Sequence, residues 1–162
     1  MRILIADDNP VFLAVLEVML TNWGYDVVTA SDGREALSLL TGEESPRLAI
    51  LDYMMPAMDG MEVCRRVRAH HDRNHVYILI LTAATRPQDL TVAMEAGADD
   101  YVTKPFKSQE LRARLRSGCR ILELLGTLSR AHERLNACAR CTIPDTPARE
   151  NAAGAVFQTL EA

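Results

Sequence analysis

A chain of 162 residues with 48% hydrophobic and 25% charged residues is long enough for one domain with a real core, in the balance of an ordinary globular protein. Its net charge of −4 gives no whole-chain basic footprint for nucleic acid, and no apolar run approaches the roughly 20 residues of a membrane span. The opening MRILIADDNP has too short an apolar run for a signal peptide and meets two acids at once, so a cytoplasmic location is expected.

Ile3 to Ala6 reads as a short buried strand. Asn9 and Pro10 then supply an N-cap and a proline suited to the first helical position. Phe12, Val15, Leu16, Met19 and Trp23 recur at helical spacing, and Gly24 ends that helix. Tyr25 to Ala30 is a second strand, and Asp32 with Glu35 has the spacing of a capping box for a helix to about Leu40. After a loop over 42–47, Leu48 to Leu51 is a third strand. Met61 to Ala69 follows as a helix with Val63, Cys64 and Val67 inward. Val76 to Leu81 is the most apolar strand, Arg86 to Ala96 a helix stopped by Gly97, and Asp100 to Thr103 a fifth strand. From Ser108 a helical pattern runs on to about Arg140, far longer than the others. The last stretch, 142–162, has two prolines and little periodicity and reads as a loosely ordered tail. Five alternations of strand and helix, with strands apolar on both faces, argue a doubly wound parallel α/β sheet.

Four cysteines, Cys64, Cys119, Cys138 and Cys141, do not form a disulfide framework, and the single C-x-x-C lacks a second pair to complete a zinc site. His70, His71 and His75 read as part of a polar loop. Asp59-Gly60 reads as turn chemistry, and Met54, Met55 and Met58 as packing.

In a parallel sheet the residues just after each strand meet along one edge, where such folds bind ligands. The first strand delivers Asp7 and Asp8, the third Asp52, the fourth Thr82, and the fifth Lys104. Three carboxylates converging on one point repel one another unless some protonate or a cation sits among them. Hard oxygen donors without histidine or thiolate suit Mg²⁺, and a lysine and a hydroxyl at the same edge suit phosphoryl oxygens. That set points to phosphoryl transfer. The absence of G-x-x-x-x-G-K-[ST] argues against a P-loop enzyme.

These residues carry a family resemblance. IADDNP, LDYMMPAMDG, LTA and DDYVTKPF, in this order and at four strand ends, resemble the receiver domain of bacterial two-component response regulators over about residues 1–120. The resemblance implies a flavodoxin-like five-stranded sheet of order 2-1-3-4-5, here with an extended C-terminal helix. It implies that Asp52 is the phosphoacceptor and that Asp8, Asp52 and the Met54 backbone carbonyl bind Mg²⁺, with Asp7 acting through a metal-bound water. It further implies that Lys104 pairs with a phosphoryl oxygen, that Thr82 and Tyr101 are the switch residues, and that the Lys104-Pro105 peptide is cis. The implied partner is a sensor histidine kinase or phosphotransfer protein. The implied catalysis is limited to the chain's own phosphorylation and dephosphorylation, with output about residues 86–115.

The expected organisation is a receiver over 1–120, a helical extension over 121–141 and a tail over 142–162. A seam through Leu111, Gly118, Ile121, Leu125, Leu128, His132, Leu135 and Ala139 suits a coiled coil and hence a homodimer. The competing expectation is a helix broken at Gly118 or Gly126. No DNA-binding motif follows Ser108, so direct nucleic-acid binding is not expected, and neither is a membrane contact. The alternative functional reading is the receiver and linker of a larger regulator whose output enzyme is a diguanylate cyclase or a phosphatase.

Overall fold

The computed structural model describes residues 1–70, 76–83 and 92–141, with side chains to residue 137. In chain order the elements are β1 (Arg2–Ala6), α1 (Pro10–Asn22), β2 (Asp26–Ala30), α2 (Gly33–Thr41), β3 (Leu48–Asp52), α3 (Gly60–Ala69), β4 (Tyr77–Thr82), β5 (Asp100–Thr103) and a C-terminal helix, Ser108–Cys141. The strands form one parallel sheet in the order β2-β1-β3-β4-β5, as the family resemblance implied. The chain divides into two compact units; the first, Met1–Thr127, holds the sheet, and the second begins at Leu128.

Side chains alternate across the pleat and build two cores. Leu4, Ala49, Leu51, Ile78 and Ile80 pack with Leu40 of α2 and Met61, Val63, Cys64 and Val67 of α3. Ile3, Ile5, Leu48, Ile50, Leu79, Leu81 and Val102 pack on the other face with Leu16 and Leu20 of α1 and Leu111, Leu115 and Leu122 of the C-terminal helix. Every residue of β3 and β4 is buried, which explains their unbroken apolar runs.

The helix starts follow from local chemistry. Asn9 Oδ1 accepts the backbone N–H of Val11 and Phe12, and Pro10 begins α1 without needing a donor. Asp32 caps α2 by accepting from Arg34 and Glu35. Glu35 reaches back to the N–H of Ser31 rather than of Asp32, one residue beyond the expected capping box. Asp59, read from sequence as turn chemistry, accepts the Glu62 N–H as the N-cap of α3. Gly24 and Gly97 take left-handed φ values of 87° and 95°, which stops the chain from continuing as helix.

Two expectations change, and the competing expectation of a broken C-terminal helix is not met. Of the apolar residues at helical spacing in α1, Val15 is exposed, and Leu20, outside that set, is buried, because the sheet-facing side of α1 is set by Leu16 and Leu20 at i, i+4. The C-terminal helix is unbroken at Gly118 and Gly126. Its outward apolar stripe is also shifted. Leu111, Leu115, Gly118 and Leu122 face the sheet, so Leu125, next in that progression, is half-buried while Leu124 is exposed beside Ile121, Leu128 and Leu135. Of the helix expected over Arg86 to Ala96, residues 92–95 are helical and 86–91 lie outside the described residues, as do His71, His75, the tail over 142–162 and the side chains of Cys138, Ala139 and Cys141.

Candidate functional site

The carboxyl ends of β1, β3, β4 and β5 place the candidate residues side by side. Asp7 follows β1 and donates its backbone N–H to the Ala30 carbonyl at 3.3 Å. Asp52 ends β3, opposite Leu81 in the ladder. Thr82 ends β4 opposite Thr103, and its carbonyl accepts the Lys104 backbone N–H at 2.7 Å. Gly60 brings α3 against this edge. A Cβ at Gly60 would run into the Asp52 carbonyl oxygen, and the Gly60 N–H donates to the Tyr53 carbonyl at 3.1 Å. Only glycine permits that approach.

The Lys104 ammonium joins two acids. It donates to Asp52 Oδ1 at 2.5 Å and to Asp7 Oδ2 at 2.7 Å. The remaining oxygens are held by backbone: Asp7 Oδ1 accepts the Asn9 N–H at 2.9 Å, and Asp52 Oδ2 accepts the Met54 N–H at 3.0 Å. Asp7 is 3% exposed and Asp52 8%. Taking carboxylates this far from water is costly without a partner, and Lys104 is that partner. Burial pushes the Asp52 carboxyl above its ordinary pKa; the Lys104 hydrogen bond and charge pull against it, and the Asp7 charge adds to the rise. Burial works to lower the Lys104 pKa, but the hydrogen bonds and charges of Asp52 and Asp7 outweigh it, so the ammonium is held above its ordinary range.

Asp8 is exposed, as is the Met54 side chain. The described residues hold no ready group of three or more His, Cys, Asp or Glu side chains placed for a metal ion. Thr82 is buried at the same edge, but it belongs to the other side of the pleat. Counting alternately from Ile80, Thr82 shares its face with Tyr101, which packs against the α2–α3 core. Asp7, Asp52 and Lys104 thus meet at this edge, where Thr82 ends the neighbouring strand, and Tyr101 packs against the α2–α3 core.

Phe12 was not among the residues expected here. Lys104 Nζ lies 4.2 Å from the centroid of its ring, and Phe106 meets the same ring edge-on at 6.1 Å. Its sequence signal, an apolar residue in the first turn of α1, is the same as that of any core residue. An apolar groove of about 530 Å³ opens beside it, lined by Phe12, Val15, Met19, Lys104, Pro105 and Phe106. The Lys104-Pro105 peptide is cis, as implied by the resemblance.

A buried carboxylate fixed by an ammonium and backbone donors is suited to nucleophilic attack at phosphorus and to offsetting the charge of the transferred group.

Residues 3–116 match the family model of the response regulator receiver domain. A probable transcriptional regulator, ycf27, of Porphyridium aerugineum is 46% identical over 116 residues, spanning 72% of this chain and 47% of the relative. The protein of the same name in Pyropia yezoensis is 45% identical over 126 residues, spanning 78% and 50%. The chain therefore spans about half the length of the curated relatives it matches. Among solved structures, a response regulator receiver domain protein from Clostridium thermocellum is 30% identical, with a TM-score of 0.70 and coverage of 76% of this chain and 98% of that one. The receiver domain of a sensor histidine kinase from Pseudomonas aeruginosa is 35% identical, with a TM-score of 0.62 and coverage of 75% and 93%. That structure is described with a magnesium ion coordinated in its active site cleft.

Proposed function

Because this chain belongs to the response regulator receiver domain family, we propose that Asp52 accepts a phosphoryl group from the phosphohistidine of a sensor histidine kinase or phosphotransfer protein. The observation that carries this reading is the Lys104 ammonium held between Asp52 and Asp7. A carboxylate oxygen of Asp52 forms the new bond to phosphorus as the phosphorus–nitrogen bond breaks, and the electron pair leaves with the imidazole. Lys104 gives up its hold on Asp52 to pair with a phosphoryl oxygen. Thr82 then hydrogen-bonds the new group, and Tyr101 turns inward behind it, so that the added charge is read on the far face of the sheet.

Asp7, Asp8, Asp52 and the Met54 carbonyl are the residues that would hold Mg²⁺. The donor set is all oxygen, and the lodging of an ammonium between Asp7 and Asp52 supports the fit, since the pair already accommodates a cation. When bound, Mg²⁺ supplies positive charge to the phosphoryl oxygens.

The chain also self-associates through its C-terminal helix. Ile121, Leu124, Leu128 and Leu135 are exposed on the C-terminal helix at spacings of three, four and seven, which supports pairing with a second copy.

The phosphoacceptor is tested with acetyl phosphate and Mg²⁺ followed by intact mass. The chain gains one phosphoryl group, and Asp52→Asn gains none. A wild-type chain that takes up no phosphoryl group, or an Asp52→Asn chain labelled as fast as wild type, overturns the assignment.

A further inference from the structure

We infer that Phe12 is a positioning residue for phosphoryl acceptance, its ring face fixing the Lys104 ammonium beside Asp52; the inference rests on the phosphoacceptor reading above. An ammonium has three N–H donors and no acceptor. Two of those on Lys104 go to Asp7 and Asp52. The Phe12 ring, 4.2 Å from Nζ, is a further stabilising partner. The negative face of an aromatic ring attracts a cation, more strongly where water is thinned out, and three-quarters of the Lys104 side chain is covered.

The ring is itself held on two sides. Its backbone N–H is bound by the Asn9 cap at 3.2 Å, which fixes the first turn of α1. Phe106, two residues beyond Lys104, meets it edge-on with planes 76° apart. The loop that carries the lysine thus also carries the residue that orients the lysine's aromatic partner. This has a consequence during transfer. Once Asp52 gives an oxygen to phosphorus, its carboxylate charge is lost and one of the two ion pairs that hold Lys104 weakens. The Phe12 contact does not depend on that charge, so it keeps the ammonium at the sheet edge as its partner changes from carboxylate to phosphoryl oxygen. Leucine at this position would fill the groove without offering a π face.

The test measures Asp52 phosphorylation against acetyl phosphate concentration in the full chain with Mg²⁺, for wild type, Phe12→Leu and Phe12→Tyr. Phe12→Leu lowers the maximal rate about fivefold, with the half-saturating concentration changed less than about twofold, and Phe12→Tyr recovers most of the rate. In NMR spectra of the unphosphorylated chain, the Lys104 ε-methylene protons are shifted upfield by the ring in wild type and Phe12→Tyr, and return to their ordinary position in Phe12→Leu. A Phe12→Leu chain as fast as wild type, a Phe12→Tyr chain as slow as Phe12→Leu, or a wild type without the upfield shift overturns the inference alone. A wild type that accepts no phosphoryl group at Asp52 overturns the phosphoacceptor reading and this inference together.

Discussion

At Cys64 and Tyr77 the fold keeps protons that the unfolded chain gives up. Burial pushes the Cys64 thiol from its ordinary 9.0 to about 12. Burial, then the charges of Asp100 and Asp99, push Tyr77 from 10.0 to about 12. For an acid whose folded pKa is raised, the folded state binds more protons between the two values, so stability falls as pH rises through that window. Lys104, held above its ordinary 10.5, adds in the same sense, since its ion pairs are lost when it deprotonates. Stability is therefore full below about pH 9 and declines toward pH 12. Urea midpoints measured across that range should fall, and Tyr77→Phe should flatten the part of the fall above pH 10. A midpoint that holds steady or rises over this window would contradict the account. Asp7, Asp52 and Lys104 were legible because each directly follows or ends an apolar strand, and parallel strands bring such positions together. Phe12 was not, because a π contact with a lysine on the far side of the chain has no local pattern.

The C-terminal helix approaches the sheet through a glycine. Gly118 is buried, and a Cβ there would lie 2.6 Å from Tyr77 Cδ1 and 2.7 Å from Cε1. Tyr77 is 4% exposed and belongs to a fully buried strand, so it has little room to yield. Alanine should gain about 1 kcal/mol in helix propensity but lose about 1–3 kcal/mol to overpacking. Overpacking wins, and Gly118→Ala should destabilise the chain by about 1 kcal/mol in urea unfolding. In a Tyr77→Leu background the ring is gone and the same change should be neutral or stabilising. Equal effects in both backgrounds would show that Gly118 has another role. The long helix was legible in its pattern from Ser108 to about Arg140; glycine inside a helical pattern is usually a weak point, so a break at Gly118 stood only as the competing expectation. The structure keeps the helix whole because the missing side chain is what lets it approach the sheet. The strands, by contrast, were read nearly to the residue. Burial on both faces leaves a continuous apolar signature, whereas the one-sided α1 could be turned by a residue, as Val15 and Leu20 were. The outward stripe of the C-terminal helix moved from Leu125 to Leu124 for the same reason.

For the whole chain, the exposed leucines and isoleucine of that helix set a quantitative expectation for self-association. Leu124, Leu128 and Leu135 are each more than half exposed, and Ile121 nearly so. Burying a side chain of this size stabilises by about 1.5–3 kcal/mol when complete. Two copies offering four such residues each, with only the exposed part of each side chain left to bury, come to roughly 7–14 kcal/mol by that measure, against an association cost of about 4–15 kcal/mol. That balance predicts a dimer that forms at accessible protein concentrations without being permanent. A two-fold pair would satisfy it with a single self-complementary surface, in which Leu128, near the middle of the stripe, would pack against its own copy. Leu128→Glu should therefore be the most damaging single change, because it removes apolar area and sets two carboxylates against each other across the seam. The dissociation constant should weaken by at least about 100-fold, on the order of 3 kcal/mol. The monomer's unfolding midpoint should stay nearly unchanged, since Leu128 is 66% exposed and outside the sheet-facing core. Sedimentation of the full chain should show a dimer for wild type and a monomer for Leu128→Glu at the same concentration. If Asp52 phosphorylation tightens the dimer, dimerisation must favour phosphorylation by the same factor when measured at equilibrium. Wild type and Leu128→Glu sedimenting alike as monomers, phosphorylated or not, would eliminate the stripe as a self-association surface.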